Sequence, residues 1–414
     1  VTRGVCVHPG APDERIGPMK ISEKAKLCAL SPMRKFHPYA VAAKAAGKEI
    51  YHLNIGQPDI ETPQALFEAV RNFDQKVLEY APSPGIPALI GAIREYYARI
   101  GVALDDSDIL ITTGGSEALQ IAANCILDDG DEIIIPEPFY PNYNTFIAST
   151  GASICPIPTS PHEGYFYAAR ERVEACITPH TRAILVTNPG NPTGVVLTRE
   201  QMEMLLDVAI EHGLFLICDE VYREFVYSGE PLASFMQLGR GYKNLILIDS
   251  VSKRFSACGA RIGCLISKNA EFIAQALKYC QARLSVATLD QVAAAALYTV
   301  EPGYFDAVRE EYQRRRDTVV AALQKIPGVV CECPHGAFYL MAKLPVDDAD
   351  RFQQWLLEEF DDEGETVMFA PGASFYQTPG KGVDEIRIAY VLNCRDSARA
   401  IDLLAKGIAR YNAR

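Results

Sequence analysis

Short apolar runs alternate with helical patterns along the middle of the chain. Six runs consist mainly of aliphatic residues without alternating polar positions, and they predict strands at residues 109–112, 133–135, 183–187, 215–218, 245–248 and 262–266. Between them, patterns of helical period predict helices at residues 116–127, 140–149, 199–212 and 270–282. Because strands covered by helices on both faces are apolar on both faces, the pattern predicts an α/β fold with a mostly parallel sheet.

The pattern changes beyond residue 300. A long polar helix is predicted at residues 304–326, and later elements are predicted as strands at 329–333, 338–342 and 385–390 and helices at 349–360 and 396–409. Strands that follow one another closely favour antiparallel pairing and a second, smaller domain. The predicted division is an arm of residues 1–30, a segment of residues 31–60 that joins the small domain, a large domain of residues 61–300 and a small α+β domain of residues 301–414.

Composition narrows the functional class. The chain has 414 residues, 49% of them hydrophobic, which is enough for two or three domains with sizeable cores. Its 40 Lys and Arg against 52 Asp and Glu give a net charge of −12, which should repel nucleic acid and anionic membranes. Apolar stretches are too short to cross a bilayer, and the first 18 residues lack the apolar segment of a secretory signal, so a cytoplasmic location is expected.

Twelve cysteines are scattered along the chain, and many lie inside apolar runs. Buried free thiols are therefore expected rather than disulfides. Cys331 and Cys333, with His335 after them, could be part of a metal site. Zinc ligands are normally spaced more widely and come with a second pair, and alternation along a strand explains the spacing equally well, so no metal is expected.

Polar residues cluster where the predicted strands end, which is where open α/β sheets bind ligands. Residues 113–117, Thr-Gly-Gly-Ser-Glu, could present helix N–H groups to a phosphate or form an ordinary turn. Asp219 closes an apolar strand and requires either a cation or a role as helix cap. Lys253 follows another apolar strand, where it could be a nucleophilic amine or a surface lysine. Arg387 alternates with apolar neighbours, so it should be buried against a carboxylate, from a substrate or from a structural salt bridge.

Four motifs occur together in a characteristic order. They are Asn-Ile-Gly-Gln-Pro-Asp at residues 54–59, Asn-Pro-Gly-Asn-Pro-Thr-Gly at 188–194, Asp-Glu-Val-Tyr at 219–222, and the Ser-Val-Ser-Lys block with its following arginine at 250–263. From about Leu53 to the C-terminus the chain resembles the class I and II aminotransferases that depend on pyridoxal 5′-phosphate, and among them the prokaryotic aspartate aminotransferases. The resemblance implies fold type I, with a mostly parallel seven-stranded sheet in the large domain.

The resemblance also implies roles around the cofactor ring. Lys253 would form the internal aldimine and later move the Cα proton, while Asp219 would face the protonated pyridine nitrogen. Tyr222 and Asn191 would bind the ring oxygen, and Tyr140 would stack on the ring. Core packing or turn formation is the alternative for the last three.

Phosphate and substrate contacts follow from the same resemblance. The residues implied at the phosphate end are Gly115, Ser116, Ser250, Ser252 and Arg261, and Glu117 is implied as a further cofactor-binding residue. Tyr80 would reach the phosphate in the neighbouring subunit's site, which implies a homodimer. Arg387 would clamp the substrate α-carboxylate in a bidentate pair, with Asn191 and Gly56 assisting.

The donor amino acid is the least determined feature. Some prokaryotic aspartate aminotransferases carry a lysine for the distal carboxylate at the position that Ser116 occupies here; Arg283 or a partner residue could substitute. The function expected is amino transfer from an L-amino acid to a 2-oxo acid through a pyridoxamine form, of the aspartate/2-oxoglutarate type. Alternatives are donors such as alanine or aromatic amino acids, C–S lysis or decarboxylation. A regulator is disfavoured because the roughly 50 residues before Asn54 contain no convincing helix-turn-helix.

Overall fold

The structure is a computed structural model that describes residues 20–28, 30–227, 229, 233–239, 241–301 and 303–414. Most of the arm predicted for residues 1–30 lies outside these residues. Among those described, no helix is both long enough and apolar enough to span a bilayer.

Strands and helices follow the predicted rhythm closely. The strands are β1 (Glu49–His52), β2 (Ile109–Thr112), β3 (Glu132–Pro136), β4 (Ser153–Ile157), β5 (Thr181–Thr187), β6 (Phe215–Asp219), β7 (Leu245–Ser250), β8 (Gly263–Ile266), β9 (Tyr339–Lys343), β10 (Glu365–Met368), β11 (Ala370–Pro371) and β12 (Glu385–Ala389). The helices are α1 (Glu23–Leu27), α2 (His37–Ala45), α3 (Gln64–Arg71), α4 (Pro87–Arg99), α5 (Gly114–Ile126), α6 (Asn142–Ala148), α7 (Arg170–Glu174), α8 (Arg199–Glu211), α9 (Phe235–Leu238), α10 (Val251–Arg254), α11 (Ala270–Ala282), α12 (Thr288–Leu297), α13 (Gly303–Leu323), α14 (Ala349–Glu358) and α15 (Cys394–Asn412).

Seven strands form the large sheet, in the order β2-β8-β7-β6-β5-β3-β4. Of these seven strands, β8 alone runs opposite to the other six, so the predicted mostly parallel seven-stranded sheet is confirmed. The sequence pattern did not predict β4, an edge strand with an exposed serine and a proline. In the register, Thr187 pairs with Asp219 and Asp219 with Ile248, which brings the carboxyl ends of β5, β6 and β7 to one edge.

Helices cover both faces of this sheet. Leu216 and Cys218 pack in one hydrophobic cluster, whereas Ile217 between them packs in another on the opposite face. The same division separates Leu247 from Ile248 on β7. This two-sided burial explains why the runs are apolar throughout.

The C-terminal part has its own hydrophobic core. Antiparallel strands in the order β11-β12-β9 pack with α13, α14 and α15, while β1 pairs parallel to β10. The prediction of a strand at residues 329–333 is wrong. This segment makes a single bridge, between Val330 and Lys343, and the ladder cannot extend through Pro334 because proline lacks an N–H. The backbone of Leu53 bonds to Met368 and Ala389, so this segment packs with the small sheet; the domain boundaries themselves stay a prediction.

Candidate active site

One cavity of about 310 Å³ lies at the carboxyl ends of the central strands. Twelve of the fourteen predicted site residues line it, namely Gly56, Gly115, Ser116, Tyr140, Asn191, Asp219, Tyr222, Ser250, Ser252, Lys253, Arg261 and Arg387. The large domain supplies ten of them and the small-domain side contributes Gly56 and Arg387. Residues that are far apart in sequence therefore meet at the edge where an α/β sheet binds ligands.

Asp219 ends β6 and is 5% exposed. Tyr143 donates a 2.7 Å hydrogen bond to Oδ2, and the Val221 N–H donates to Oδ1 at 3.3 Å. Within the described part of the chain no lysine or arginine pairs with this carboxylate. Burial raises its pKa to about 6, against the hydrogen bond from Tyr143. The carboxylate is thus suited to a ligand that brings a positive charge into the cavity.

Lys253 lies on α10, a single helical turn that follows β7 directly. The Ser250 Oγ caps this turn by accepting a 3.1 Å hydrogen bond from the Ser252 N–H. The Lys253 Nζ donates a hydrogen bond to the Gly56 carbonyl oxygen at 2.8 Å. The same nitrogen lies 3.8 Å from the Cys258 Sγ. Because a carbonyl oxygen does not neutralise the amine as a carboxylate would, Lys253 can engage a ligand.

A candidate anion site surrounds the start of α5. Gly114 has φ +74°, and a Cβ there would lie 2.5 Å from the Arg261 Nη2, so the helix N-terminus and the guanidinium are closely packed. The Ser250 and Ser252 hydroxyls are 2.8 Å apart, and Arg261 donates to the Cys258 carbonyl at 2.9 Å while its side chain stays exposed. Helix N–H groups, two hydroxyls and a guanidinium fork match the geometry of a phosphate.

Arg387 lies on β12 and is 3% exposed. Its Nη2 donates to the Asn54 carbonyl at 2.7 Å, and its Nη1 donates to the Asn191 Oδ1 at 3.2 Å. The guanidinium carbon is 4.5 Å from the ring centre of Tyr339, and burial lowers the pKa of the arginine. A carboxylate arriving in the cavity would stabilise this buried cation.

Aromatic hydroxyls complete the cavity wall. The Tyr222 and Tyr339 oxygens are 3.1 Å apart, and the Asn191 Nδ2 lies 3.5 Å from the Tyr222 oxygen. Burial raises the pKa of Tyr222 well above its ordinary value, so it is a neutral donor near pH 7. A Cβ at Gly56 would lie 1.7 Å from the Tyr339 oxygen, so only glycine fits there.

Sequence reasoning missed Tyr143 and Tyr339. Tyr143 lies on α6 and Tyr140 just before that helix, with the two rings 5.6 Å apart and perpendicular, so an aromatic residue close in sequence to a predicted site residue is a signal that could have been used. Tyr339 carries no such signal, because its position depends on how the small sheet packs against Gly56.

Two predicted site residues do not line the cavity. Glu117 accepts a hydrogen bond from the Thr113 N–H at 2.5 Å and pairs with the Arg283 Nε at 2.9 Å, so its carboxylate holds the turn instead of facing a ligand. Arg283 also donates to the Ile111 carbonyl, which disfavours it as the cation for a substrate side chain. Tyr80 is 80% exposed and outside this chain's own cavity.

Comparison with known proteins shows the family to which the chain belongs. The family described as aminotransferase class I and II matches residues 48–393. An aspartate aminotransferase of Bacillus subtilis (strain 168) is 30% identical over 95% of this chain and 98% of its own length, and an aspartate/prephenate aminotransferase of Thermus thermophilus is 31% identical over 90% and 94%.

Solved structures are equally similar. The aspartate aminotransferase of Thermus thermophilus with maleate superimposes with a TM-score of 0.85 at 29% identity, covering 94% of this chain and 100% of that one. The aspartate aminotransferase of Rhizobium meliloti gives 0.86 at 29% identity, covering 95% and 99%. The chain therefore belongs to the class I and II aminotransferases, and it is an enzyme that transfers amino groups.

Proposed function

We propose that the cavity binds pyridoxal 5′-phosphate and that the enzyme moves an amino group from an L-amino acid to a 2-oxo acid. One observation carries this proposal: the same cavity contains the buried Asp219 carboxylate and the Lys253 amine, and among the described residues neither has an oppositely charged partner. When bound, the pyridine ring of this cofactor withdraws electrons from the substrate Cα and so eases proton removal.

The residues around the ring fit this cofactor. Asp219 would hold a proton on the ring nitrogen, because a nearby cation offsets the cost of burying its charge. Tyr222 and Asn191 would hydrogen-bond the ring oxygen. Tyr140 would cover one ring face, held by the 2.7 Å hydrogen bond that its oxygen accepts from Asn142.

The phosphate would sit at the anion site. Its proposed donors are the N–H groups of Gly115 and Ser116, the hydroxyls of Ser250 and Ser252, and the Arg261 guanidinium. Because Arg261 is exposed in this chain, it is free to turn towards a dianion. Glu117 is left out of this proposal, since it is engaged with Arg283.

The substrate side depends on Lys253 and Arg387. Lys253 would hold the cofactor at its aldehyde end and would carry the Cα proton, since this residue lines the cavity. Arg387 is proposed to bind the α-carboxylate through its two Nη atoms, oriented by Asn191, while Gly56 leaves room beside it.

We also propose a cytosolic homodimer. Val77 and Leu78 are 66% and 62% exposed beside Tyr80, and Phe67 and Val70 on α3 are exposed too, so this face offers apolar surface to a second copy. Tyr80 would then reach the partner's phosphate. The cysteines within the described ranges are all free, as is usual in a reducing compartment.

Aspartate, with 2-oxoglutarate as acceptor, is the proposed donor, because the relatives carry that name. A second candidate is a donor without a distal carboxylate, such as alanine or an aromatic amino acid. The observation favouring it is that Lys253, Arg261 and Arg387 are the only cationic residues among the described lining of the cavity, and each already has a role.

One experiment tests reaction and donor together. Purified enzyme is supplied with the cofactor, 2-oxoglutarate and a panel of L-amino acids, and release of each 2-oxo acid is measured. We expect stoichiometric glutamate, with aspartate fastest. Release of sulfide or carbon dioxide without glutamate would instead assign a lyase or decarboxylase.

A further inference from the structure

Two arginine–carboxylate pairs lie fully buried behind the cavity, and the proposed reaction uses neither. Asp249 pairs with Arg254, and Glu220 pairs with Arg223. Each pair flanks a segment that carries site residues: the first encloses Lys253, and the second encloses Tyr222 and directly follows Asp219. Burying an ion pair is costly, and apolar side chains of similar size often give equal stability, so the question is what these pairs do instead.

The Asp249–Arg254 pair closes the turn that carries Lys253. The Arg254 Nη2 contacts both carboxylate oxygens, at 2.5 Å for Oδ2, while the Tyr97 hydroxyl and the Ser250 N–H each donate to the carboxylate at 2.7 Å. The guanidinium carbon lies 4.4 Å from the ring centre of Tyr96. Arg254 is thus held by a charge and an aromatic face at once.

Such a tether matters because α10 has only four residues. A single helical turn is not stable by itself, since the cost of nucleation exceeds the gain from one hydrogen bond. The Ser250 cap fixes its start, and the Arg254 ion pair ties its end back to β7. Lys253 is the residue just before that tie, so its backbone has little freedom.

The Glu220–Arg223 pair does the same for the neighbouring segment. One Glu220 oxygen accepts from the Ser234 hydroxyl at 3.0 Å and the Phe235 N–H at 2.9 Å, and the other accepts from the Arg223 Nη2 at 2.5 Å. Tyr97 links the two pairs, because its hydroxyl bonds to Asp249 and its ring lies 5.9 Å from the Arg223 guanidinium.

We propose that Asp249 and Arg254 are positioning residues that hold Lys253 at a fixed distance from Asp219, and that Tyr97 couples them to the Glu220–Arg223 pair. This inference rests on the proposed function, because Lys253 and Asp219 are the groups it aligns. It predicts that removing the pair disturbs the lysine more than the fold.

The test replaces both partners, since Arg254→Met alone would strand a buried carboxylate. In the double variant Asp249→Asn/Arg254→Met, the asparagine still accepts from Tyr97. We expect an unfolding midpoint within about 5 °C of the parent. We also expect kcat to fall about tenfold or more with the donor KM little changed, because the lysine is misplaced.

Two readouts separate positioning from stability. The pH at which the absorbance of the bound cofactor titrates should shift by half a unit or more, and borohydride should label Lys253 several-fold more slowly. Arg399→Met is the matched control, because it breaks an arginine cluster with Asp362 and Glu365 in the small domain. It should leave both readouts unchanged.

If the double variant folds, titrates and is labelled like the parent, the positioning role is wrong. Should that variant unfold, Arg254→Lys decides by the same readouts, since lysine keeps the charge without the planar fork. A parent enzyme in which borohydride and the cofactor leave Lys253 unlabelled would overturn the proposed function itself, whatever the variants do.

Discussion

The two halves of the cavity are built on different principles. The half around Asp219 and Lys253 is formed where buried parallel strands end, and its side chains are fixed by contacts within the large domain. The half around Arg387 and Tyr339 comes from an antiparallel sheet in the C-terminal part, and it meets the first half through Gly56 and Asn191. The first half is suited to hold a resident cofactor rigidly. The second half can adjust to different amino-acid donors without disturbing the first.

The largest effect that tests this division into two halves is expected at Lys253. Lys253→Ala should lower turnover by about 10⁴-fold, because no other amine lines the described cavity to move the proton. Cofactor affinity should fall much less, since the anion site is intact. Turnover and equilibrium dialysis of the cofactor measure the two effects.

Lys278→Ala is the control for this change, since Lys278 is exposed on α11 and its amine hydrogen-bonds to Gln275. It should behave like the parent. Residual turnover above one hundredth in Lys253→Ala would contradict the assignment of the lysine.

Asp219→Asn tests the other group of the rigid half. Turnover should fall by about 10²- to 10³-fold, because the amide cannot hold a proton on the ring nitrogen electrostatically. In the cofactor-free protein the same substitution should increase stability, although it lowers turnover in the complete enzyme. The pKa of Asp219 is raised from 3.8 to about 6 by burial, so the folded protein binds the proton more tightly than the unfolded chain does, and stability decreases as pH rises from about 4 to about 6.

Asp219→Asn should remove this loss. Cofactor-free Asp219→Asn is therefore expected to be more stable than the parent above about pH 6, by an amount on the order of 2 kcal/mol or less, and equally stable near pH 4. Urea unfolding at the two pH values measures the difference. A variant destabilised equally at both values would mean that the carboxylate is needed for packing.

Arg387→Ala tests the substrate half. The donor KM should rise by about 100-fold for every amino acid, because all donors share the α-carboxylate. Cofactor absorbance should stay unchanged, since Arg387 is placed on the other half. Steady-state kinetics with several donors decides the matter: a loss restricted to one donor would assign Arg387 to its side chain.

The sequence predicts the two halves unequally. Apolar runs that end in Asp219 or precede Lys253 are visible because a buried strand is apolar on both faces and the first polar residue marks its end. The role of Arg387 also has a signal, as a charge among apolar neighbours. Tyr339 has none, because its place beside Gly56, where an added Cβ would lie 1.7 Å from the tyrosine oxygen, depends on two segments meeting in space. Gly56 itself was predicted only through the motif at residues 54–59.

Two differences between the sequence predictions and the observed contacts have similar causes. Glu117 is next to Ser116 in sequence, yet its side chain caps the turn and pairs with Arg283 because successive helical residues point in different directions. The segment at residues 329–333 has strand composition but lacks a continuous partner. The local sequence pattern shows neither the direction of the Glu117 side chain nor the missing partner of residues 329–333.

The smallest effect is expected from a substitution at Ser116, which belongs to the first half but would act on the substrate. Ser116 is the third residue of α5 and lines the cavity, where some aspartate aminotransferases carry a lysine. Ser116→Lys should raise kcat/KM for aspartate relative to alanine by about tenfold, because it adds a cation for a second carboxylate. A cation near a helix N-terminus costs about 0.5 kcal/mol, which the fold can tolerate.

Ser116→Gln is the matched control, since it adds length without charge and should leave the aspartate-to-alanine ratio near that of the parent. An equal change in both variants would mean that size alone matters at this position. If Ser116→Lys leaves the ratio unchanged while Arg387→Ala still weakens all donors, the distal carboxylate is not bound beside residue 116, and a cation from the partner subunit is the next group to test. With such a cation the substrate half would be completed only in the dimer, in contrast to the half that carries Asp219 and Lys253.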